Sequence, residues 1–371
     1  MPQAKTQSGI IMTSRGKAQV QHDLTIPSPD DGQILVKTKA LALNPPDWMA
    51  LDAFGRPGAG MGFDFAGEVV EAGEGVNSLV VGNRVAGFVH ACHGANYSVG
   101  AFREFLLADA DLTLHIPDSL PFAEASTLGM GVSTAAQALY QTLQLPLPGD
   151  ATPTSSGTIL VYGGSTATGT LAVQFAELSG MRVITACSQR NIAWMRSLGA
   201  DEVVDHNDPN AINIITSKAG HDGLSLIMDC VAQDKTAEFC YQCFKAPSNS
   251  RDGAMKFRYA PLMPIRIPPS TPDSLPSSTR IQSEWRMVYT CFGRRFTMVH
   301  DGLGISQTWE ASKEDKRFMV DFYRQVEKAL ADGRLKPMPI EVQEGGLESI
   351  LDGVSKVRQG GARGKKLVYV F

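Results

Sequence analysis

The chain is predicted to be an α/β protein in which a doubly wound parallel-sheet domain is inserted into a barrel-like β domain. The segment before about residue 125 consists of short strands punctuated by glycines. Apolar strands then alternate with helices up to about Gly293, a pattern that favours a parallel sheet covered on both faces. The tail after residue 300 resembles the first segment again. These observations predict a β domain at 1–125 plus 300–371 and a parallel-sheet domain at 126–299.

The strands are predicted from apolar runs bounded by glycine, proline or polar residues. In the β domain they are QILVKTKALAL, DFAGEVVEAG and NRVAGFV. In the parallel-sheet domain they are TILVYGG, MRVITACS, DEVVDH, LSLIMDCV, AMKFRYAPL and MVYTCFG. The last of these follows a Pro- and Ser-rich segment, residues 260–280, which is predicted to be a surface loop. A helix that begins near Glu124 ends in a second such loop, LPLPGDATPTSSG.

The tail carries an amphipathic helix followed by a strand, a helix and a strand. Phe318, Phe322, Val326 and Leu330 recur at spacings of four, and Asp332–Gly333 is a typical C-terminal signal. PMPIEV, GLESILDGVSKVRQG and KKLVYVF supply the three elements that follow.

Composition narrows the function classes. A hydrophobic fraction of 43%, a charged fraction of 19%, a net charge of −4 and a pI near 6.0 disfavour nucleic acid and anionic membranes as partners. No apolar run is long enough to span a bilayer and no signal-peptide pattern opens the chain, so we expect it in the cytoplasm. Cys240 and Cys243 form a C-x-x-C, but EFCYQCF is more typical of a helix with buried thiols than of a metal or redox site.

The most informative stretch is Gly157 to Asn191, which predicts a strand, a glycine turn, a helix and a second strand. Glycines after a strand let backbone N–H groups approach a pyrophosphate at the helix N-terminus. Gly163, Gly164 and Gly169 are present, whereas Thr166 occupies the place of a middle glycine. The residues predicted to contact the pyrophosphate are Ser165, Thr166, Ala167 and Thr168.

The end of the second strand predicts which nicotinamide cofactor is bound. NAD-binding domains place a carboxylate there for the ribose hydroxyl. This chain has no acid at that point, and its residues suit a 2′-phosphate: Ser188, Gln189, Arg190 and Asn191. The sequence therefore predicts NADPH. His206, after the third strand, either lies against the adenine or is an exposed loop histidine.

Several blocks together resemble the medium-chain dehydrogenase/reductase superfamily over the whole chain. They are ALNPPDW, GMGFDFAGEVVEAGEGV, VGNRVAGF, GAFREFLLAD, IPDSLPFAEASTLGMGVSTAAQAL, VYGGSTATGTLAVQFA and GKKLVYV. The pieces LPLP, VYGGSTAT, ACS-x-x-N, IMDC and GKKLV are similar to the trans-acting enoyl reductases of fungal polyketide pathways. The resemblance implies a GroES-like catalytic domain around a Rossmann domain. It also implies NADPH-dependent reduction of an α,β-unsaturated thioester held on a polyketide synthase.

The resemblance also implies site residues. The ALNPPDW loop and the start of the GVSTAAQ helix lie beside the nicotinamide in this family, which makes Asn44, Asp47 and Thr134 the catalytic candidates. The remaining cofactor contacts that it implies are Pro46, Trp48, Met49, Val132, Ser133, Phe292, Arg363 and Gly364.

Zinc is not expected, although many members of the superfamily hold it. The Gly-His-Glu segment that supplies a ligand in zinc alcohol dehydrogenases is Gly62-Phe63-Asp64 here, and ALNPPDW lacks their early cysteine. His90, Cys92 and His93 could form a three-donor cluster, but a plain loop is the favoured interpretation. The chain is therefore predicted to be zinc-independent.

One position departs from the enoyl reductases. In those enzymes a lysine follows the N-P-x-D loop. The matching residue in this chain is Met49, two positions after Asp47. A methionine donates neither a proton nor a charge-assisted hydrogen bond. Three functions stay open: a trans-acting enoyl reductase protonated from water, a stand-alone double-bond or quinone reductase, or a redox-silent cyclase or scaffold.

Overall fold

The computed structural model describes residues 5–93, 98–149, 157–221, 223–246, 256–268, 275, 279–300 and 305–371. The chain divides into two compact units. The first combines Met1–Met130 with Tyr289–Phe371, and the second is Gly131–Val288. The domain limits predicted from the sequence, 1–125 plus 300–371 and 126–299, stay a prediction. Both proline-rich loops, LPLPGDATPTSSG and residues 260–280, lie partly outside the described residues.

Strands and helices are numbered here in chain order. The strands are β1 (Thr6–Ser14), β2 (Lys17–Thr25), β3 (Gln33–Ala42), β4 (Asp64–Ala72), β5 (Arg84–Phe88), β6 (Phe105–Asp109), β7 (Thr113–His115), β8 (Thr158–Tyr162), β9 (Arg182–Cys187), β10 (Glu202–Asp205), β11 (Leu226–Asp229), β12 (Phe257–Pro261), β13 (Ile281–Ser283), β14 (Phe296–His300), β15 (Ile305–Trp309), β16 (Ile340–Gln343) and β17 (Lys366–Val370). The α-helices are α1 (Pro45–Met49), α2 (Phe122–Ala125), α3 (Gly129–Ala136), α4 (Ala167–Leu178), α5 (Ile192–Ser197), α6 (Ala211–Lys218), α7 (Asp234–Gln242), α8 (Lys313–Ala331) and α9 (Ile350–Arg358). Helices α1 and α3 each continue into a π-helical turn, Ala50–Phe54 and Gln137–Thr142.

The second unit contains a parallel sheet. In its described residues, six strands lie in the order β10-β9-β8-β11-β12-β13, and every neighbouring pair is parallel. The order reverses between β8 and β11, because the chain first builds outwards on one side of β8 and then on the other. In sheets of this kind ligands bind at the carboxyl ends of the strands beside such a switch point. The predicted doubly wound Rossmann fold is confirmed.

The first unit is built on a mixed sheet that the C-terminal tail completes. Its path is β16-β17-β3-β4-β5-β7, and β6 pairs with β3. β17 pairs antiparallel with β3 in register Val368 with Ala42, and β16 adds in parallel to β17. The predicted GroES-like fold with an inserted second domain is thus confirmed.

Each unit has its own hydrophobic core. Leu160, Ile184, Ile227, Phe244 and Tyr259 are buried together in the second unit. In the first unit the largest fully buried side chains include Phe63, Phe65, Phe88, Phe102 and Phe322.

Two local predictions are confirmed. The amphipathic tail helix is α8, with Phe322, Val326 and Leu330 on its buried face. Cys240 and Cys243 are fully buried at the end of α7, as EFCYQCF indicates. None of the helices in the described part of the chain combines the length and apolar character needed to cross a membrane.

One predicted strand is wrong. MVYTCFG was expected to be the last strand of the parallel sheet, but Val288–Phe292 is a 3₁₀ turn and β13 ends the sheet. The reason is a spacing of three between Tyr289 and Phe292, which puts both rings on one side of a 3₁₀ turn. Both rings are buried in the first unit, where Tyr289 stacks on Phe63 with centroids 5.8 Å apart.

Candidate functional site

The turn after β8 has the geometry of an anion-binding loop. Gly163 adopts a left-handed conformation (φ +77°), and its N–H donates to the carbonyl of Ala186 on β9 at 2.9 Å. A Cβ on Gly169 would overlap the carbonyl oxygen of Gly163. Glycine at 163 therefore permits the bend, and glycine at 169 permits helix α4 to pack directly on the turn.

Thr166 explains the imperfect glycine pattern. Its backbone is extended (φ −76°), so the position does not require glycine. Its Oγ1 accepts a hydrogen bond from the N–H of Gly169 at 3.0 Å and so caps helix α4. Thr166 therefore stabilises the N-terminus of α4, and its side chain is compatible with the conformation of the turn.

Three backbone donors at this turn are open. Among the described residues, the N–H groups of Ser165, Ala167 and Thr168 meet no acceptor, and all three residues are half-buried. The first N–H groups of a helix have no partner inside it, and the helix dipole gives that end a partial positive charge. The turn therefore fits the pyrophosphate of a dinucleotide cofactor.

The end of β9 presents the predicted 2′-phosphate residues. Gln189–Asn191 forms a 3₁₀ turn after Ser188, and the exposed Arg190 guanidinium engages no acceptor within the described part of the chain. Ser188 Oγ lies 3.3 Å from His206 Nε2, so these two predicted residues meet. The nearby Asp205 carboxylate accepts from Asn207 N at 3.0 Å. Residues 188–191 themselves thus contain a base and no acid, and Asp205 lies opposite Cys187 on the neighbouring strand β10.

In the first unit, the ALNPPDW loop is held by its own side chains. Asp47 is fully buried, and its Oδ2 accepts from the N–H of Asn44 at 2.6 Å. Asn44 caps helix α1, and Pro45 and Pro46 occupy the first helical positions, where a missing N–H costs nothing. Asp47 Oδ1 is buried without a partner among the described residues. Burial, and secondarily the charge of Asp64, raises the pKa of Asp47 well above its ordinary value.

A buried ion pair lies behind this loop. Lys366 Nζ donates to Asp64 Oδ2 at 2.5 Å and to the carbonyl of Thr127 at 3.2 Å. Asp64 Oδ1 accepts from the N–H of Met130 at 2.7 Å. The pair therefore ties β17, β4 and the first turn of α3 together.

The other predicted site residues fall into two sets. In the first unit Trp48 and Met49 are half-buried, and Phe292 packs on Phe88 with ring centroids 5.0 Å apart. Arg363 Nε donates to the Gly360 carbonyl at 3.2 Å, and Gly364 has φ +72°. In the second unit Val132 and Ser133 are buried, and Thr134 is half-buried. The roles of all these residues remain predictions.

The residues near His90 do not fit a zinc ion. His90 stacks on His93 with centroids 4.3 Å apart and on Tyr289 at 3.9 Å, so the rings lie face to face and their nitrogens do not converge. Burial raises the pKa of the Cys92 thiol. Within the described ranges no group of three or more His, Cys, Asp or Glu side chains is arranged to hold a metal.

Sequence reasoning missed a cluster at the end of β11. Asp229 is fully buried and accepts four hydrogen bonds, from Val231 N, Ala232 N, Thr236 Oγ1 and Tyr259 Oη. The only signal in the sequence was an acid closing the apolar run LSLIMDC, since a buried carboxylate at a strand end requires partners.

Comparisons with known proteins agree with this geometry. Residues 30–118 match the family model of the alcohol dehydrogenase GroES-like domain, and residues 167–247 match that of the zinc-binding dehydrogenases. A trans-enoyl reductase of Petromyces alliaceus is 36% identical over 369 residues, covering 99% of this chain and 97% of that protein. A trans-enoyl reductase of Aspergillus niger is 36% identical over 373 residues, covering 98% and 96%.

Solved structures share the fold. A putative zinc-dependent alcohol dehydrogenase from Rhizobium etli superposes with a TM-score of 0.75 at 22% identity, covering 100% of this chain and 99% of that one. The CurK enoyl reductase superposes with a TM-score of 0.71 at 14% identity, covering 99% of both chains. The chain therefore belongs to the medium-chain dehydrogenase/reductase family and, within it, to the fungal trans-enoyl reductases.

Proposed function

We propose that this protein is a trans-acting enoyl reductase that uses NADPH to reduce an α,β-unsaturated polyketide thioester held on a polyketide synthase. The observation that carries the cofactor choice is the acid-free, basic tip of β9 beside a turn with three open backbone donors. The full-length similarity to trans-enoyl reductases supports the substrate class.

In this proposal the second unit binds three parts of the cofactor: the pyrophosphate, the 2′-phosphate and the adenine. The N–H groups of Ser165, Ala167 and Thr168 hold the pyrophosphate, because they lack other acceptors. Ser188 and Arg190 hold the 2′-phosphate, and Gln189 and Asn191 complete its binding turn. His206 lies against the adenine, next to Ser188.

When bound, the nicotinamide supplies a hydride to the β-carbon of the conjugated thioester. The chain's task is then to orient the thioester, stabilise the enolate oxygen and exclude bulk water. We assign Asn44 and Thr134 to hydrogen bonds with the substrate, and Pro46, Trp48, Met49, Val132, Ser133, Phe292, Arg363 and Gly364 to the walls around the cofactor. Asp47 shapes the loop through its hydrogen bond from Asn44.

Met49 is the observation that favours a second candidate. Without a lysine at this position, the α-carbon proton comes from water in our proposal. A stand-alone reductase of free enones or quinones is the alternative, because the lysine that Met49 replaces is a feature of the trans-acting enoyl reductases. We further propose a cytoplasmic location with neither nucleic acid nor membrane among the partners, in keeping with a net charge of −4.

The decisive experiment follows NADPH absorbance with crotonyl-pantetheine thioester, with a free enone and with a quinone, each with and without the partner synthase. Oxidation that requires the thioester and increases with the synthase supports the trans-acting role. Faster turnover of the free enone or quinone would favour the stand-alone reductase. Intact NADPH binding without oxidation of any acceptor would overturn both.

The cofactor choice has a separate test. Arg190→Ala should weaken NADPH binding by about 1.5–3 kcal/mol, the range for hydrogen bonds to a charged group, and leave NADH binding nearly unchanged. Arg196→Ala is the matched control, since Arg196 is also an exposed arginine but lies in the following helix α5. Equal losses for NADPH and NADH would contradict recognition of the 2′-phosphate by Arg190.

A further inference from the structure

The cluster around Asp229 occupies a place in the sheet where ligands bind. β11 neighbours β8 across the switch point, and both strands run in the same direction. Asp229 pairs with Tyr162, the last residue of β8, in the strand register. The turn that follows Asp229 therefore stands beside the turn that follows β8, at the carboxyl edge of the sheet.

Asp229 is tied to three elements through four hydrogen bonds. Its Oδ1 accepts from the N–H groups of Val231 and Ala232, each at 2.9 Å. Its Oδ2 accepts from Thr236 Oγ1 on α7 at 2.6 Å and from Tyr259 Oη on β12 at 2.8 Å. A carboxylate with all its partners in place is rigid, because loss of any one leaves a buried charge less well solvated.

The backbone of the turn is unusual in a way that these bonds account for. Ala232 has φ +51°, the left-handed region that side chains other than glycine rarely adopt. The two N–H bonds to Asp229 Oδ1 hold this conformation against its steric cost. The backbone conformation of the turn is thus determined by its hydrogen bonds to Asp229 and not by the conformational preferences of residues 230–232.

The turn touches the pyrophosphate-binding turn directly. The Val231 side chain lies so close to Gly163 that a Cβ there would meet Val231 Cγ2 at 2.8 Å. A Cβ on Gly163 would also meet Cys230 Cβ and Cγ2 of Thr166, the N-cap of α4, each at 3.5 Å, so both side chains adjoin this glycine. Any movement of residues 230–232 therefore displaces the groups that define the open donors.

We propose that Asp229, fixed by Tyr259 and Thr236, is a positioning residue that holds the turn 230–232 against the Gly163–Thr166 turn and thereby sets the affinity for the dinucleotide. This inference rests on the proposed NADPH site. It places neither Asp229 nor Tyr259 in contact with the reacting atoms. Loss of the network should therefore raise the KM for NADPH and leave kcat at saturating NADPH unchanged.

The test compares two tyrosine variants in the same unit. Tyr259→Phe removes one hydrogen bond to Asp229 and keeps the ring. Tyr140→Phe is the control, because Tyr140 Oη is also buried and bonded, to Ser179 Oγ at 3.0 Å and the Phe175 carbonyl at 3.2 Å, far along α4 from the turn. We expect Tyr259→Phe to weaken NADPH binding about tenfold, as measured by NADPH fluorescence, and Tyr140→Phe to leave it unchanged. Both should lower the Tm by similar amounts.

A second readout does not depend on the cofactor. Cys230 is half-buried in the turn, and its labelling rate by a thiol reagent, measured by mass spectrometry without NADPH, reports how well the turn is held. Tyr259→Phe and Asp229→Asn should label faster at Cys230 than the original chain, and Tyr140→Phe should not. Asp229→Asn should show the larger effect, and Tyr259→Phe carries the test if the asparagine variant does not fold.

The outcomes separate the two proposals. Faster labelling with unchanged NADPH affinity would overturn the link between this turn and the cofactor. Unchanged labelling in both variants would overturn the positioning role itself. If the original chain bound no NADPH while labelling changed as expected, the cofactor assignment would fail and the holding of the turn by Asp229 would stand.

Discussion

The turn after β8 and the ALNPPDW loop use their polar groups in opposite ways. The turn leaves the N–H groups of Ser165, Ala167 and Thr168 open and uses glycines to bring backbone close. The loop uses its polar side chains on itself, since Asp47 accepts from Asn44 and is fully buried. One region is defined by backbone geometry, the other by buried charge.

The difference shows how each region responds to mutation and to pH. Backbone N–H groups do not titrate. The turn after β8 should therefore be disrupted by added side-chain volume or by changes in the turns that pack against it, and not by pH. A loop built around Asp47, Asp64 and Lys366 depends on the protonation and pairing of buried groups, which cost much when left alone. Three predictions separate the two kinds of dependence, and a fourth concerns the turn after β11.

The largest effect is expected in the charged region. Lys366→Met leaves Asp64 as an uncompensated buried charge and should lower the free energy of unfolding by about 3–5 kcal/mol. Lys356→Met is the control, because the Lys356–Glu341 pair is exposed and should be worth only about 0–1 kcal/mol. Urea denaturation measures both. Similar losses for the two variants would show that burial of the Asp64–Lys366 pair carries no special cost.

The turn after β8 should be sensitive to added side-chain volume. Gly169→Ala pushes a methyl group into the Gly163 carbonyl, and we expect a loss of about 1–3 kcal/mol in stability together with weaker NADPH binding. In Gly157→Ala the new Cβ meets, among the described residues, only the flexible end of Met181 at 3.1 Å, so it should be tolerated. Thermal melts with and without NADPH test this. Undiminished stabilisation by NADPH in Gly169→Ala would contradict the close packing.

Asp47 should make the stability of the first unit depend on pH. Because burial raises its pKa, the folded chain favours the protonated acid, and this contribution is complete below the ordinary carboxyl pKa. It is lost as the pH rises through the folded-state pKa. Asp47→Asn keeps the acceptor for Asn44 N–H and does not ionise, so its stability relative to the original chain should improve from pH 4 to pH 8. A constant difference across this range, measured by urea denaturation, would contradict a raised pKa at Asp47.

The smallest effect is expected at the turn after β11. Ala232→Gly relieves a left-handed residue, a gain of about 1–2 kcal/mol, against about 0.4–1 kcal/mol of added chain entropy in the unfolded state. The net gain should be roughly 0.5 kcal/mol, visible as a small rise in Tm. Gln144→Gly, at another left-handed position (φ +58°), should give a similar rise. A fall in Tm for Ala232→Gly alone would mean that the methyl group itself stabilises the turn.

Local patterns in the chain were sufficient for much of the fold and for part of the site. The spacing of Gly163, Gly164 and Gly169 between two apolar strands requires a tight turn and a closely packed helix, whatever surrounds them. The absence of an acid among Ser188–Asn191 is likewise visible without a structure. The buried face of α8 follows from its period of four.

Other features depended on partners distant in sequence. MVYTCFG has the composition of a strand, but burial of Tyr289 and Phe292 against Phe63 and Phe88 made it a 3₁₀ turn. No element was predicted from the sequence for 294–312, where β14 and β15 pair antiparallel, with Phe296 opposite Trp309 and Thr297 opposite Thr308.

The sequence by itself determined most of the alternation of strands and helices in the parallel-sheet domain, the glycine turn after β8 and the basic tip of β9, because each depends on residues within a few positions of one another. Only the tertiary structure decided the pairing of Asp64 with Lys366 and of Asp229 with Tyr259, which are 302 and 30 residues apart. The physical reason is that a buried charge needs a partner but does not specify which one. That choice falls to whichever strands the sheet brings together.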